Sequence, residues 1–266
     1  MPQVHARARN KARRAKSNGR PAPGMLSRFY HTLHRELGPQ HWWPAETPFE
    51  VIIGAILTQS TSWTNVELAI HNLRREGLLT PAAMRRASHV RLERLVRPSG
   101  YFRQKARKLR AFLDFLFDEY GGSLDKMFST PTAVLREKLL GVHGIGPETA
   151  DSILLYAGQH PVFVVDAYTQ RVLSRHGLVP EPSKSGNGRP SYEHTRELLE
   201  SNLPRDPQLY NEYHALLVQV GKHWCRPQQA LCDECPLGPL LPRSARPVVI
   251  SPRSVEARPR ATEAGS

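Results

Sequence analysis

Apolar residues recur every three or four positions along most of this chain, the spacing that places them on one face of an α-helix. The pattern predicts a first helix over Met25–Leu37 and a long one over Phe102–Tyr120, where basic residues occupy the opposite face. The stretch Phe49–Thr58 is apolar almost throughout, but it is too short to span a membrane. We therefore expect it to form a central helix that is buried on all sides.

The same periodicity predicts eight more helices, whereas extended segments are nearly absent. Only Pro161–Val165 forms a short extended run, and Leu178–Pro190 is rich in Pro, Ser and Gly and is predicted to be a loop. The fold class is therefore predicted to be all-α. The further helices are Asn65–Arg74, Thr80–Ala87, Val90–Val96, Pro131–Leu140 with Thr130 as its N-cap, Pro147–Ala157, Ala167–His176, Tyr192–Leu203 and Gln208–Trp224.

The connection between two of these helices has a composition suited to binding an anion. Gly144 and Gly146 flank the apolar Ile145, so the backbone can turn tightly and approach another molecule closely. The next helix begins at Pro147, and its first N–H groups lack partners within the helix. Together with the helix dipole, these groups form a site for a backbone phosphate. An ordinary turn between two core helices is the alternative interpretation.

The charge balance indicates a polyanionic partner. The 266 residues include 37 Lys and Arg against 24 Asp and Glu, for a formal net charge of +13. Nucleic acid suits such a chain, and an anionic membrane surface is the competing partner. No apolar run is long enough to span a bilayer, and the N-terminus lacks the apolar core of a secretory signal. We therefore expect a cytoplasmic protein with a nucleic acid as its partner.

Both ends of the chain are predicted to be disordered tails. Residues 1–24 contain many basic residues and no acidic one, and residues 243–266 are rich in Pro, Arg and Ser. Neither segment has enough apolar residues to pack into a core. The first tail either adds nonspecific phosphate contacts or has no role.

Three cysteines, Cys225, Cys232 and Cys235, lie close together near the C-terminus. An odd number of clustered cysteines does not form a disulfide framework. Their proximity indicates a metal-type cluster in a reducing cytoplasm.

The hairpin, a later aspartate and the cysteine run together resemble the helix-hairpin-helix DNA glycosylases of the endonuclease III superfamily. Family members have L-P-G-V-G-x-K-T-A through the hairpin and V-D-T-H or V-D-x-Y at the aspartate. This chain has Gly144-Ile145-Gly146-Pro147-Glu148-Thr149-Ala150 and Val165-Asp166-Ala167-Tyr168 at these places. The match extends over roughly residues 25–241.

The resemblance implies two helical lobes with a central DNA-binding cleft. One lobe would be the contiguous six-helix segment 46–158, which ends in the helix-hairpin-helix motif. The other would combine residues 25–45 with residues 159–242 and carry the remnant of an iron–sulfur loop. The family's DNA contacts would fall on Gly144, Ile145, Gly146, Thr149 and Gln59. Gln59 matches the family's glutamine that fills the gap left by an extruded base.

In this family the aspartate is the residue on which the chemistry depends, and the resemblance assigns that role to Asp166. The local sequence gives an independent reason, because Asp166 stands at a predicted N-cap, where the helix dipole and free N–H groups favour a charged carboxylate. Such a carboxylate can stabilise the oxocarbenium-like centre that forms as a base departs, and it can orient the attacking water. Capping alone would also explain an aspartate at this position.

Two features indicate the subtype. Glu148 occupies the position of the Schiff-base lysine of bifunctional members, and a carboxylate cannot form that intermediate, which favours a monofunctional enzyme. The segment Trp42-Trp43-Pro44 is similar to the 3-methyladenine glycosylase branch, in which paired tryptophans help to form the lesion pocket. Electron-rich indole faces would attract a cationic alkylated purine. The predicted lesion pocket therefore comprises Trp42, Trp43 and Glu148, with core packing of the tryptophans as the alternative.

The three cysteines match the first three ligands of the family's C-x6-C-x2-C-x5-C iron–sulfur loop. The fourth position holds Leu241 instead. Four thiolates usually hold such a cluster. The loop would keep a weakened iron–sulfur cluster, recruit a nearby His or Asp, or have lost the metal, and a zinc site would lack the same ligand.

Together with this resemblance, the sequence predicts a monofunctional base-excision DNA glycosylase that hydrolyses the N-glycosidic bond of a damaged base, with an alkylated purine as the substrate. We expect it to be a monomeric, nucleoid-associated cytoplasmic protein that binds double-stranded DNA containing the damaged base. An endonuclease III-like glycosylase and AP lyase acting on oxidised pyrimidines is the rival within the same class. A noncatalytic helix-hairpin-helix protein that binds DNA is the rival from another class, and it would not require Asp166.

Overall fold

The structure is a computed structural model, and it describes residues 24–43, 45–180 and 192–242. The tails predicted over residues 1–24 and 243–266 lie outside these ranges, except for Gly24, which precedes the first helix. Most of the predicted loop after Leu178 also lies outside them.

Within the described ranges the chain consists of α-helices and short turns without a β-strand, so the predicted all-α class is confirmed. The main predicted helices are present, and their ends differ from the prediction by at most two residues, except that α9 ends at Ser152 and a wider turn continues it to the predicted end at Ala157. The helices are α1 (Met25–Leu37), α2 (Pro48–Leu57), α3 (Trp63–Arg75), α4 (Pro81–Arg86), α5 (His89–Leu95), α6 (Phe102–Tyr120), α7 (Leu124–Phe128), α8 (Thr132–Leu140), α9 (Pro147–Ser152), α10 (Ala167–Arg175), α11 (Tyr192–Asn202) and α12 (Pro207–His223).

Helix α2 lies at the centre of the molecule, as its apolar sequence predicts. The side chain of Thr47 caps it by accepting a hydrogen bond from the N–H of Glu50 at 3.2 Å, and Pro48 occupies the first helical position. Every residue from Phe49 to Leu57 is buried. The helix packs against α3, α6 and α9, which fixes the position of the polar segment that follows it.

The start of α8 differs from the prediction. Thr130 was expected to cap it, but the helix begins at Thr132 and Pro131 holds the cap position with extended ψ. The N–H of Thr130 donates to the carbonyl of Met127 at 3.1 Å, so Thr130 belongs to the end of the preceding turn. That turn closes α7, which was not predicted because five residues are too few to show helical periodicity.

Residues 46–158 contain eight helices, α2 to α9, rather than the six expected for this lobe. Helix α9 continues through Ile153–Ala157 in a wider turn, where the N–H of Gly158 donates to the carbonyl of Ile153 five residues earlier. Such wide turns occur mostly as single insertions in α-helices. The division of the chain into two lobes remains a prediction.

The run Pro161–Val165 is extended but pairs with no strand among the described residues. Side chains of α11 satisfy its backbone instead: Glu200 accepts from the N–H of Phe163 at 2.9 Å, and the Tyr192 hydroxyl accepts from that of Val165 at 3.3 Å. Buried N–H groups require such partners. The run therefore delivers Asp166 to the start of α10 along a fixed path.

None of the helices in the described ranges combines the length and the apolar character that crossing a membrane would require.

Candidate active-site cleft

A cleft of about 1030 Å³ contains every predicted site residue except the three cysteines. The end of α2, the hairpin before α9, the start of α10 and the C-terminal half of α12 form its walls. The predicted residues that line it are Trp42, Trp43, Gln59, Gly144, Ile145, Gly146, Glu148, Thr149 and Asp166.

Asp166 caps α10 as the sequence predicts, and its carboxylate lies in the cleft. Oδ1 accepts a hydrogen bond from the N–H of Thr169 at 2.7 Å, and Oδ2 lies 3.6 Å from Nε2 of His214. The side chain is 14% exposed. Burial acts to raise the pKa of Asp166, but His214 and the hydrogen bond from Thr169 outweigh it, so the pKa lies below the usual value. The cleft therefore holds a charged carboxylate.

Glu148 supplies a second carboxyl group with the opposite tendency. It lies in the cleft at the second position of α9, where solvent reaches part of its side chain. Partial desolvation by neighbouring residues and, secondly, the negative charge of Asp166 raise the pKa of Glu148. Two nearby carboxyl groups whose pKa values are pushed apart can divide the roles of acid and base between them. Glu148 is thus the group of the pair that takes up a proton more readily.

The hairpin is supported from below by Lys108 of α6. Gly144 has a φ of +84°, and a Cβ there would collide with the Lys108 side chain, so glycine is required on both grounds. Lys108 also donates to the side-chain oxygen of Gln59. A basic residue expected only on a solvated helix face therefore braces the hairpin.

Gln59 joins the end of α2 to the hairpin. Its amide nitrogen donates to the carbonyl of Gly144 at 3.1 Å and to Oγ1 of Thr149 at 2.9 Å. Ile145 is buried beneath the turn, as expected for the residue that anchors it. Among the five residues predicted to contact DNA, Gly146 is exposed at the surface. The side chains of Gln59 and Thr149 are instead hydrogen-bonded to each other.

The two tryptophans of the predicted lesion pocket have different surroundings. Trp43 packs edge-on against Trp63 and at a tilt against Tyr156, with both ring centroids 5.1 Å away, and a Cβ on Gly54 would press against its ring. Trp42 instead lies beside Lys222, whose ammonium is 5.8 Å from its ring centroid. Both residues are half-buried, but Trp43 is packed on several sides by other residues, as a core side chain is.

The cleft residues that were not predicted from the sequence include Tyr156, His214 and Lys222. Tyr156 and His214 lie on otherwise apolar helical faces, where a polar residue is an inconspicuous member of a core pattern. A search for polar residues at buried helical positions would have found both. Lys222 follows His214 by two helical turns and gave no local signal.

The cysteine loop does not fit an iron–sulfur cluster. Within the described ranges no group of three or more His, Cys, Asp and Glu side chains is close enough to hold a metal ion. The cavity that the three cysteines line measures about 20 Å³, which is room for about one water molecule. Leu241, at the fourth ligand position, is buried in the same place.

Two arginines of α10 hold the loop in place. Arg175 donates to Sγ of Cys225 at 3.2 Å and to the carbonyl of Pro227 at 3.0 Å. Arg171 donates to the carbonyl of Cys225 at 2.6 Å and to that of Gly221 at 3.0 Å. Hydrogen bonds and apolar packing therefore close this loop in the structure.

Comparison with known sequences identifies the family. The profile of HhH-GPD superfamily base excision DNA repair proteins matches residues 53–205. The chain belongs to this superfamily. It is 46% identical over 215 residues to the Methanocaldococcus jannaschii protein MJ1434, itself provisionally named a DNA repair glycosylase, over 80% of this chain and 94% of that one. It is 32% identical to endonuclease III of Thermotoga maritima over 71% of this chain and 79% of that protein.

Solved structures share the fold. H. pylori 3-methyladenine DNA glycosylase (MagIII) bound to 1,N6-ethenoadenine superposes with a TM-score of 0.61 at 26% identity, over 73% of this chain and 94% of that one. A non-covalent endonuclease III–DNA complex gives 0.66 at 23% identity, over 83% and 94%. The helical architecture is thus that of the helix-hairpin-helix DNA glycosylases.

Proposed function

We propose that this protein is a monofunctional DNA glycosylase that removes an alkylated purine from duplex DNA by hydrolysing its N-glycosidic bond. The observation that carries the proposal is the charged carboxylate of Asp166 at the N-cap of α10, inside a cleft with aromatic walls. A base inside a duplex is out of reach of such a group. The enzyme must therefore extrude the nucleotide into the cleft.

Asp166 acts on the sugar. Its carboxylate stabilises the positive charge that develops at the sugar as the base departs, and it orients the water that replaces the base. Thr169 keeps one oxygen of the carboxylate fixed, so little reorganisation is needed during the reaction. Glu148, with its raised pKa, can supply a proton to a departing base that is not already cationic.

DNA binding would involve the hairpin and the surrounding basic surface. Gly146 is exposed at the start of α9, where the first N–H groups of the helix can face a phosphate. Lys108 lies beneath Gly144 and adds positive charge. Such contacts carry no base information, so binding should depend strongly on salt and only weakly on sequence.

The alkylated purine is supported by Trp42 and by the likeness to MagIII. Trp42 offers an aromatic surface in the cleft, and a base can stack on it. The positive charge of Lys222 disfavours a cationic base on Trp42. Such a base would be repelled by the ammonium unless it displaced the Lys222 side chain. A neutral adduct such as the 1,N6-ethenoadenine bound by MagIII avoids that cost.

Lys222 also supports a second candidate function. AP lyases need an amine that attacks the sugar, and the position of the family's lysine is occupied by Glu148. Lys222 nevertheless lines the same cleft as Asp166, so the cleft contains an amine. An endonuclease III-like glycosylase and lyase acting on oxidised pyrimidines would use it.

Release of bases from a panel of damaged duplexes, combined with borohydride trapping, tests these functions. We expect release of an alkylated purine, an intact strand with an abasic site, and no trapped protein–DNA adduct. Trapping that disappears in Lys222→Ala would establish the lyase and overturn the monofunctional assignment. DNA binding without base release from any duplex would favour the noncatalytic alternative.

A further inference from the structure

His214 of α12 lies against the proposed catalytic carboxylate, although nothing in the sequence drew attention to it. Its side chain is 6% exposed. Nε2 lies 3.6 Å from Oδ2 of Asp166, and Nδ1 lies 2.5 Å from the hydroxyl oxygen of Tyr156. The imidazole therefore bridges the wide turn after α9 and the start of α10.

The two carboxylate oxygens of Asp166 differ in their hydrogen bonding. Oδ1 is fixed by the N–H of Thr169 at 2.7 Å, which is a full hydrogen bond. Oδ2 has His214 as its neighbour at a distance slightly too long for one. In addition, Nε2 of His214 is buried and has no hydrogen-bond partner within the described ranges. A buried donor and a nearby charged acceptor that both lack a close partner are complementary.

Tyr156 and Asp166 together favour one position for the imidazole proton. Burial and the negative charge of Asp166 raise the pKa of Tyr156 well above its usual value, so its hydroxyl keeps its hydrogen. The hydroxyl can donate that hydrogen to Nδ1 of a neutral His214, and the carboxylate of Asp166 beside Nε2 favours this arrangement because it places the imidazole proton on Nε2. A protonated His214 carries a proton on Nε2 as well. An N–H group therefore faces Asp166 in both charge states.

We propose that His214, held by Tyr156, is a positioning residue that orients Oδ2 of Asp166 and stabilises its charge for the reaction. This inference rests on the proposed glycosylase function. The gap of 3.6 Å closes to a hydrogen bond when the cleft holds the extruded nucleotide, because catalytic hydrogen bonds are often long without substrate. Thr169 and His214 then fix one carboxylate oxygen each, and the charged face of Asp166 meets the sugar.

A purely structural role for His214 makes different predictions. The ring packs 6.0 Å from that of Tyr156 and fills space between α12 and the wide turn. If packing were its only function, any substitution would act through stability, and restoring an N–H group would not restore the rate. Single-turnover base release, DNA affinity and melting temperature measured on the same variants separate these roles.

The experiment compares His214→Leu, His214→Gln and Tyr156→Phe with the natural chain, using duplexes that contain 1,N6-ethenoadenine, a methylated purine or an oxidised pyrimidine. We expect His214→Leu to lower the single-turnover rate by about 30-fold, the loss of one charge-assisted hydrogen bond. DNA affinity should stay within about twofold, since the interaction matters mainly as charge develops. His214→Gln, which keeps an N–H donor near the Nε2 position, should recover most of the rate.

His160→Gln is the matched control, because His160 is a buried histidine with two hydrogen-bond partners outside the cleft, Thr132 and Phe128. It should lower the melting temperature and leave the rate near that of the natural chain. In addition, ¹⁵N NMR should show the Nε2–H form of His214 at neutral charge, and Tyr156→Phe should weaken that preference.

Two outcomes would overturn the inference while leaving the glycosylase function intact: a His214→Leu rate within threefold of the natural chain, or a loss that His214→Gln fails to restore. An absence of base release by the natural chain from all duplexes would instead overturn the proposed function and, with it, the role of His214.

Discussion

The cleft around Asp166 and the cysteine loop lie at opposite ends of one helix, α10, and they differ in how their polar groups are satisfied. At the N-terminal end, the carboxylate of Asp166 has one firm hydrogen bond, and His214 beside it has an unpaired nitrogen. At the C-terminal end, Arg171 and Arg175 bond to the loop, and one of the thiols accepts from an arginine. The cleft keeps polar groups available for a ligand, whereas the hydrogen bonds from the two arginines hold the loop closed.

The difference shows what a motif can and cannot establish. The hairpin and aspartate residues that the sequence singled out all lie in one cleft, as their proposed roles require. The cysteine motif lacks one of its four ligands, and the remaining thiols lie around a space too small for a cluster. Spacing along the chain indicates a metal site only when the full ligand set is present.

The largest expected effect is on base release, which should depend on the Asp166 end of α10 and not on the loop end. Asp166→Asn should lower base release by about 100- to 1000-fold, because the charge that opposes the developing cation is lost. The variant should fold normally, since asparagine caps helices as well as aspartate does. DNA affinity should be unchanged or higher. Single-turnover base release and a binding titration measure both quantities.

Asp206→Asn is the matched control for this prediction. Asp206 caps α12 by accepting from the N–H of Gln208 at 2.8 Å, but it does not line the cleft. Its replacement should leave the rate unchanged. If Asp166→Asn kept more than a tenth of the activity, the carboxylate would be only a helix cap.

The next effect concerns stability at the loop end of α10. His176, which follows α10, is buried, and burial lowers its pKa from 6.5 to about 4. Between these pH values the unfolded chain binds the proton and the folded chain does not, so stability should fall as the pH decreases from 6.5 to 4. The full loss would be about 3 kcal/mol, at about 1.4 kcal/mol per pH unit.

Denaturant unfolding at pH 7 and pH 4 measures this loss, and His176→Gln should reduce the difference between the two values. An unchanged pH dependence in His176→Gln would show that other groups dominate acid unfolding.

A smaller effect separates the two tryptophans of the cleft. Trp42→Ala should lower excision about tenfold with little change in stability, because a stacked base gains about 1–3 kcal/mol from an aromatic surface. Trp43→Ala should act mainly through stability, since Trp43 packs among Trp63, Tyr156 and Gly54. Melting temperature and excision rate measured on both variants test the distinction. Equal losses of both quantities in the two variants would make the pair a single packing unit.

The smallest effect is on metal content. The natural chain should contain far less than four iron atoms per molecule, and Leu241→Cys should increase bound iron by completing the ligand set. Elemental analysis of protein purified without oxygen provides the measurement, with Leu237→Cys, a buried leucine of the same loop, as the control. Stoichiometric iron in the natural chain would mean that an unidentified residue completes the site.

Much of this arrangement could be predicted from local sequence. Periodicity located the main helices, and the position of Asp166 before an apolar repeat predicted the cap that the structure confirms through Thr169. The aromatic segment, the hairpin and the aspartate all reach one cleft. These features depend on a few neighbouring residues, which is the range over which sequence patterns carry information.

The remaining features depend on contacts between distant segments. Lys108 supports Gly144 from 36 positions earlier in the chain, and His214 meets Tyr156 across 58 positions. A local pattern can show that Tyr156 and His214 interrupt apolar helix faces, but it cannot show which residues meet across the fold. The contact between Lys222 and Trp42 joins distant segments in the same way.

The wide turn at Ile153–Ala157 determines where the cleft is sensitive to chain length. Such a turn contains one residue more than the regular helix needs. Deleting a residue between 153 and 155 would restore the regular repeat and leave the following side chains facing nearly the same way, because the wide turn had absorbed the extra residue. Tyr156 would then still face His214. A deletion within the regular turns of α9, Pro147–Ser152, would instead rotate Tyr156 by roughly 100° relative to the hairpin and uncouple its hydroxyl from the imidazole that it holds.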